Sequence, residues 1–474
     1  MSGKNIKSVL LAAGKGTRMK SKYPKVLHEI LGKTLIERVL TAINFIKQED
    51  IYVILGHKAE SVKEFLKNNN YENINCLLQE PQLGTGHAVF QVFNDFINFD
   101  GTVIILCGDT PLLRNETIDL FLEKHIASGS DLSILSAELE NPANYGRIIR
   151  GMEGTVIKIV EEKDASQAER KIKEINSGVY CIEWQKIAPA FLELNTSNSQ
   201  GEYYLTDIVE WATNKELIVN AHNIALEDEI FGINSKYELA VATKKLSKNK
   251  IMQLLSQGVN IVDIENTFIS PETIIENDCT IMPGCYIAGD NYIKADSVIG
   301  PNVFITGNVE IGKNNTVTMS KLSNVKTGDD VTIGPFANLR DNVIIGNKVR
   351  IGNFVEVKKS TIGNNTNAAH LSYIGDAELG CEVNIGAGTI TANYDSLLKL
   401  KSKTILKDNV KIGSNSVLVA PVTLNENSFV AAGSVITKEV PEASLAIARQ
   451  KQTNIEGWVD KKLKQKEDKA LSKK

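Results

Sequence analysis

The 474-residue chain has 42% hydrophobic and 23% charged residues and a formal net charge of -4, an ordinary globular balance. That charge excludes nucleic acid as a partner, which needs a basic face, and no run approaches the ~18 apolar residues of a membrane span. With no signal-peptide core after the short apolar run at Val9–Ala13, the sequence predicts a cytoplasmic protein of two or three domains with no membrane partner.

The first element is an apolar strand leading into "SVLLAAGKGTRMKSKYPK", Ser8 to Lys25. An apolar run, a Gly-rich turn and a cluster of cations suit backbone N–H groups brought against phosphate oxygens. Neither common phosphate fingerprint fits. Met19 stands where G-x-G-x-x-G needs its last Gly, and no G-K-[ST] follows. Short apolar runs then alternate with amphipathic stretches to about residue 234, which predicts an α/β domain, Rossmann-like, with a mostly parallel sheet. Ligands gather at the carboxyl ends of such strands. The loops "AAGKGTR", "QEPQLGTGHA" and "CGDTP" each follow an apolar run, so they are expected on one rim. Asp109 in "CGDTP" is a turn residue or a ligand of the Mg²⁺ that accompanies a nucleoside triphosphate. Arg18 and Lys25 would then neutralise a departing pyrophosphate.

A stretch of helical spacing closes with Gly258, and from Ile275 the apolar period becomes six. Apolar residues recur at 275, 281, 287, 293, 299, 305, 311 and 317, then at 333 to 357, 362 to 374, 379 to 391 and 412 to 436. This is the signature of a left-handed parallel β-helix of hexapeptide repeats. The six cysteines include no C-x-x-C, and Cys279 and Cys285 occupy a repeated inward slot, so they are read as core. Arg340 and Lys358 are eighteen residues apart, one coil, and so stack ~4.8 Å from one another. Stacked like charges are unfavourable, so either an anion such as a sugar phosphate sits there or both fan into solvent. Ser414 and Ala432 are also one coil apart and leave a channel for a thin ligand. His370 lies outside the inward slots, where it is structural or a general base.

Taken in order, "LAAGKGTRM", "YPK", "QLGTGHA", "GD.P", "YGRI", "EEKDA", "EINSGVY" and "GEYYLTDI" resemble the sugar-1-phosphate nucleotidyltransferases. Joined to the hexapeptide β-helix, they resemble the bifunctional N-acetylglucosamine-1-phosphate uridyltransferase/glucosamine-1-phosphate acetyltransferases. The resemblance implies a uridyltransferase domain over 1–236, a linker helix over 237–257 and an acetyltransferase β-helix over 258–474; the basic tail from Lys461 to Lys474 reads, from its charge and position, as a solvated, frayed end. It implies UTP contacts at Leu11, Ala12, Ala13, Gly14, Lys25, Gln79, Gly84 and Thr85, with Gln79 and Gly84 reading uracil. Gly146, Glu161 and Asn176 would hold the amino sugar, and Asp109 and Asn234 would bind Mg²⁺. Arg340, Lys358, Tyr373, Asn384 and Asn393 would bind glucosamine-1-phosphate. Ala387, Asn393, Tyr394, Ser414, Ala432 and Arg449 would bind acetyl-CoA, with His370 as the base for the attacking amine. Two positions depart from that family's pattern: Cys107 replaces a usual Tyr, and Ser396 opens a longer loop after Asp395.

Two rival readings are weighed against a two-reaction enzyme. One is a single-activity sugar-1-phosphate nucleotidyltransferase whose β-helix is structural or regulatory. The other is a non-enzymatic assembly protein of the same architecture. The retention of Lys25, Asp109, Lys358 and His370 favours the two-reaction enzyme. Counting hexads from 333 places Arg340 and Lys358 on one face, His370 on a second and Asn384 at the corner of the third. One packed prism then does not bring them all to one sugar. A homotrimer with shared acetyltransferase sites is expected, each uridyltransferase site being complete within one chain.

Overall fold

The computed structural model describes residues 5–471, and these form two compact units. One runs to Gln253 and includes Phe268–Pro271; the other takes Leu254–Thr267 and continues from Glu272.

The main sheet of the first unit has strands β1 (Ile6–Ala12), β2 (Ile51–Leu55), β3 (Asn75–Leu78), β4 (Thr102–Cys107), β5 (Leu132–Glu138), β6 (Arg147–Arg150), β7 (Val156–Val160), β8 (Glu174–Glu183) and β9 (Val219–Asn223). The helices used below are α1 (Leu35–Ala42), α2 (Ala59–Asn68), α3 (Thr85–Phe90), α4 (Asn115–Ala127), α5 (Asp207–Asn214) and α6 (Lys236–Ser256). The sheet runs β9-β5-β8-β4-β1-β2-β3. Along this path the pairs are parallel except those of β8, which is antiparallel to β4 and β5, and β6 adds antiparallel pairs with β7 and β8 off the path. β1 is central and apolar because both of its faces are covered. Val9 packs with Phe96, Ile105 and Trp184 on one side, and its neighbour Leu10 with Ile104, Leu106 and Phe121 on the other. Each such fully buried side chain contributes about 1.5–3 kcal/mol. Thr34 starts α1 with a capping box, its hydroxyl accepting from Glu37 N while the Glu37 carboxylate accepts from Thr34 N.

The second unit is a left-handed parallel β-helix. One of its faces is a sheet of eleven strands, from Asn260–Ile261 to Leu445–Ala446. Its inward residues, among them Ile281, Ile299, Val317, Ile351 and Val430, are buried. Cys279 and Cys285 are buried with them, each thiol donating to a backbone carbonyl. The helix begins one strand earlier than the period of six indicates. Asn260–Ile261 pairs with Thr280–Ile281 at a spacing of about twenty residues rather than eighteen, which hides it from a six-residue count. Leu379 stands in register with Leu406 because a hairpin, Tyr394–Asp395 against Leu400–Lys401, is inserted between coils.

The basic tail is not frayed as expected. Trp458–Leu471 is an α-helix, and the side chains of Trp458 to Lys469 are exposed. Lysines spaced along good helix formers suffice for a solvated helix. Ser472 to Lys474 lie outside the described residues.

Candidate active sites

The three loops expected on one rim line a single cavity of about 420 Å³ at the carboxyl ends of β1, β3 and β4. Leu11, Ala12, Ala13, Gly14, Lys25, Gln79, Gly84, Thr85 and Asp109 all border it. Lys25 reaches the floor because its stem lies against Gly16, where a Cβ would come within 2.9 Å of Lys25 Cβ. Gly16 also has φ +57, the left-handed region that glycine enters without strain. The Lys25 ammonium lies 2.5 Å from Asp109 Oδ2 and 3.0 Å from Asn234 Oδ1. Asn234 is brought there by its own segment, for the Ile233 N–H donates to the Asp109 carbonyl. Its amide N–H donates to Glu238 at the start of α6.

A single positive charge therefore sits between two hard oxygen donors. That donor set fits Mg²⁺, which takes one or two protein oxygens and completes its shell with water and phosphate. No group of three or more His, Cys, Asp or Glu side chains placed to hold a metal occurs among the described residues. Arg18 lies on an exposed turn and is not brought to the cavity wall.

Gln79 is buried, and its amide nitrogen donates to the Gly84 carbonyl and meets His87 Nδ1. Burial lowers the pKa of His87, which favours the neutral ring and leaves it able to accept. The Gly84 backbone has φ +115, and a Cβ there would meet the Tyr203 carbonyl oxygen at 2.5 Å. The "GEYYLTDI" segment is thus packed on the nucleotide loop. Glu202 of that segment, Lys15 and Gln82 also line the cavity. These are contacts that sequence reasoning missed, although that segment was legible as a motif.

Gly146, Glu161 and Asn176, expected to hold the amino sugar, cluster as well. The Asn176 N–H donates to the Gly146 carbonyl, and a Cβ on Gly146 would come within 3.6 Å of the Glu161 carboxyl. A bulge in β8 between Asn176 and Tyr180 re-aims Asn176, whose side chain donates to Tyr180 Oη at 2.7 Å. Burial raises the Glu161 carboxyl, opposed by a hydrogen bond from Thr206. Asp207 is pushed up to about 6 by burial, with Glu210 and Asp164 adding to it. Cys107 borders the cavity and interacts with both Asp109 and Glu161. Its thiol contacts the Gly178 carbonyl at 3.7 Å, and burial, aided by Asp109, raises it to about 12, so it stays protonated.

On the β-helix, Arg340 and Lys358 are in register as the spacing predicts. They do not confront each other unbalanced. Arg340 is bound by Glu356 at 2.6 Å and Asp341 at 3.0 Å, and Lys358 lies 3.4 Å from the same Asp341. The chain's own carboxylates thus supply the anions that stacking demanded. Glu356 was legible, since residues two apart on a strand share a face. Tyr373 stands one coil above Glu356 on the same face.

His370 ends the strand Asn367–His370 on a different sheet. It is exposed, and its Nδ1 lies 3.1 Å from Asn353 Oδ1. Asn384, expected at a corner, is in register with Asn367 and so belongs to that same sheet. The strand starts one residue before its inward-facing Ile385, as Asn367 precedes Ala368 one coil below. Asn384 still stands three residues along from His370, about 10 Å.

Asn393 is held by Asp376, its amide donating at 2.5 Å, while Tyr394 is exposed at the base of the inserted hairpin. Ala387, Ser414 and Ala432 form one column. The Asn415 N–H donates to the Ala387 carbonyl, the Gly433 N–H to the Ser414 carbonyl, and both Ser414 and Ala432 are exposed. Arg449 is exposed, beyond the last strand.

Comparison with known proteins agrees with this division. A family model described as nucleotidyl transferase matches residues 7–224, and one described as bacterial transferase hexapeptide (six repeats) matches 272–307, 324–359 and 403–438. The protein named "Bifunctional protein GlmU" from Clostridioides difficile (strain 630) is 45% identical over 98% of this chain and 99% of its own. Its namesakes from Clostridium acetobutylicum and Clostridium perfringens (Type A, strain ATCC 13124) are 45% and 48% identical, each over 96% of this chain and 98% of theirs.

Proposed function

Since the chain belongs to the family of bifunctional GlmU proteins, we propose that the Lys25 cavity performs its uridylyl transfer and the surface around His370 its acetyl transfer. The chain is a bifunctional enzyme. It acetylates glucosamine-1-phosphate from acetyl-CoA and then transfers a uridylyl group from UTP to N-acetylglucosamine-1-phosphate, releasing pyrophosphate. Its partners are small molecules.

In the first site the loop Leu11–Gly14 and Thr85 would cradle the nucleotide, with Gln79 and Gly84 turned to uracil. Gly146, Glu161 and Asn176 would hold the sugar. A phosphate oxygen of the sugar attacks the α-phosphorus of UTP, and the bond to the β-phosphate oxygen breaks. No protein nucleophile is required, so rate comes from positioning and charge neutralisation. Asp109 and Asn234 would hold Mg²⁺, which when bound neutralises charge on the triphosphate. Lys25, released from those two oxygens, would pair with phosphate, and Arg18 would approach pyrophosphate from its exposed turn.

In the second site the His370–Asn353 contact carries mechanistic content. Nδ1–H donating to Asn353 Oδ1 leaves Nε2 as the basic nitrogen. That nitrogen would take the proton from the glucosamine amine as it attacks the thioester carbonyl, and the CoA thiolate leaves. Arg340, Lys358, Tyr373, Asn384 and Asn393 would bind the sugar phosphate. The column Ala387–Ser414–Ala432, with Asn393, Tyr394 and Arg449, would take acetyl-CoA. Arg340 and His370 ride on different sheets of one solid prism, so a homotrimer would complete each site.

No helix among the described residues is long and apolar enough to cross a membrane. We place the enzyme in the cytoplasm, where UTP and acetyl-CoA are found together. The observation that carries the reading is the placement of one ammonium between Asp109 and Asn234 at the floor of the cavity. It is tested by supplying glucosamine-1-phosphate and acetyl-CoA, then UTP with Mg²⁺. Free thiol should appear first and pyrophosphate only after UTP; pyrophosphate without prior thiol release would leave only the nucleotidyltransferase.

A further inference from the structure

Resting on the reading of Glu161 as a sugar ligand, we propose that Thr206 is a positioning residue for the uridylyl transfer. Its hydroxyl aims the Glu161 carboxylate from a segment that the nucleotide loop itself grips, so one short strap serves both subsites.

The grip is continuous along the strap. The Tyr203 N–H donates to the Leu83 carbonyl at 2.8 Å, and the Gly86 N–H donates to the Tyr203 carbonyl at 2.8 Å. The Leu205 N–H donates to Thr85 Oγ1 at 3.1 Å. The next residue, Thr206, places Oγ1 3.3 Å from Glu161 Oε1. Adjacent residues of one strap therefore contact the nucleotide loop and the sugar carboxylate, and Tyr204, Leu205 and Thr206 are all buried. Packed segments of this kind transmit displacement rather than absorb it.

Thr206 has an ordinary alternative role that it does not perform. It stands at the N-cap of α5, where a threonine hydroxyl would normally accept from an N–H of the first turn, yet its side chain makes no capping bond. The hydroxyl is directed at Glu161 instead. At 3.3 Å this contact is longer than the ~2.7–2.8 Å mode for O–H···O. It orients the carboxylate without clamping it.

The electrostatic surroundings make that orientation consequential. Glu161 faces Asp207 on α5 and Asp164 on its own loop, and it interacts with Cys107 of β4 and Tyr180 of β8. Burial and the two carboxylates raise its pKa, and the Thr206 hydroxyl lowers it. Deleting the hydroxyl should therefore protonate Glu161 at higher pH, besides releasing its geometry.

The test uses the full chain with UTP, Mg²⁺ and N-acetylglucosamine-1-phosphate. Thr206→Val should raise KM for the sugar phosphate about tenfold, the loss of a hydrogen bond to a charged group. KM for UTP should stay within about twofold. The acid limb of kcat/KM for the sugar phosphate should move to higher pH, and Thr206→Ser should restore wild-type behaviour. Thermal unfolding and near-UV circular dichroism of the same preparation report that the first unit is folded. Thr206→Ala removes the hydroxyl without adding a methyl group and provides the measurement if the valine variant does not fold. Glu161→Gln separates the two possible failures. If it raises the sugar-phosphate KM while loss of the Thr206 hydroxyl changes neither KM nor the acid limb, the positioning role is overturned. If Glu161→Gln itself leaves that KM unchanged, the sugar-ligand reading falls and the proposal falls with it.

Discussion

The two halves hold their charged groups in contrasting ways. In the first, Lys25, Asp109 and Asn234 meet at the floor of a cavity that a single chain encloses. In the second, Arg340, Lys358 and His370 lie on the outside of a prism whose interior is filled by stacked aliphatic side chains. A mostly parallel sheet leaves a crevice at its carboxyl ends, so the chain that builds the sheet also builds the site. A β-helix leaves none, and its substituents diverge from face to face. The difference teaches that a concave fold can close a site from one chain, whereas a convex one leaves its substituents open to a neighbour, the arrangement proposed above.

The largest expected effect separates the halves outright. Asp109→Asn should reduce uridylyl transfer about 10³–10⁵-fold, the scale of removing a charge-neutralising group from phosphoryl transfer, while acetyl transfer stays near normal. Both rates are read on one preparation, and a parallel loss of thioester turnover in folded protein would break the comparison. His370→Ala should do the reverse, costing about 10²–10⁴ in acetyl transfer with pyrophosphate release preserved. Acetylation within a few-fold of wild type would make His370 structural.

A third experiment sharpens the contrast between a site within one chain and a shared one. His370→Ala and Asn384→Ala chains, each inactive alone in acetylation, are mixed and allowed to exchange. If one site draws the two residues from different subunits, a 1:1 mixture regains roughly a quarter of wild-type activity, the fraction of sites receiving both intact residues in a closed ring. No recovery, or an active monomer by light scattering, would place the whole site in one chain.

The smallest effect concerns pH and stability. Asp207 is raised to about 6 in the folded chain from an ordinary value of 3.8, so its protonated form is the one folding favours. The stability it contributes is present below pH 3.8 and is lost as pH rises through 6. Asp207→Asn should therefore stabilise the first unit at pH 7.5. The gain should be about 1–2 kcal/mol after allowance for solvent screening at a half-buried site, and smaller at pH 5. Thermal unfolding at the two pH values checks the sign; equal shifts would assign the effect to packing instead of charge.

Much of this was legible in the residues because it is periodic or local. Val9 and Leu10 read as a strand buried on both faces, the six-residue period read as a β-helix, and Cys279 and Cys285 read as core from their slot alone. Arg340 over Lys358 followed from counting, since one coil of three hexads is a covalent spacing. Glu356, two residues before Lys358, shares its face by the same counting, whereas Asp341 meets both cations only through the folded turn. Asn384 was counted to the corner before the hexad that 385 opens, and only the strand pairing shows that the sheet already takes in that corner residue, as it takes in Asn367 one coil below. The helical tail was passed over because propensity on a solvated segment leaves no apolar pattern to read.

What only the tertiary structure decided are the meetings of residues far apart in sequence. Lys25 reaches Asn234 across 209 positions, and Thr206 reaches Glu161 across 45. No periodicity encodes such pairs. They arise when β1, β4 and the segments before α5 and α6 converge on one rim, and that convergence is set by sheet order and the packing of two apolar faces. The sequence alone determined which chemistry was on offer, because backbone preferences and hydrophobic period are written residue by residue. Which oxygen faces which ammonium is a property of the folded whole, because it depends on how buried surfaces fit together.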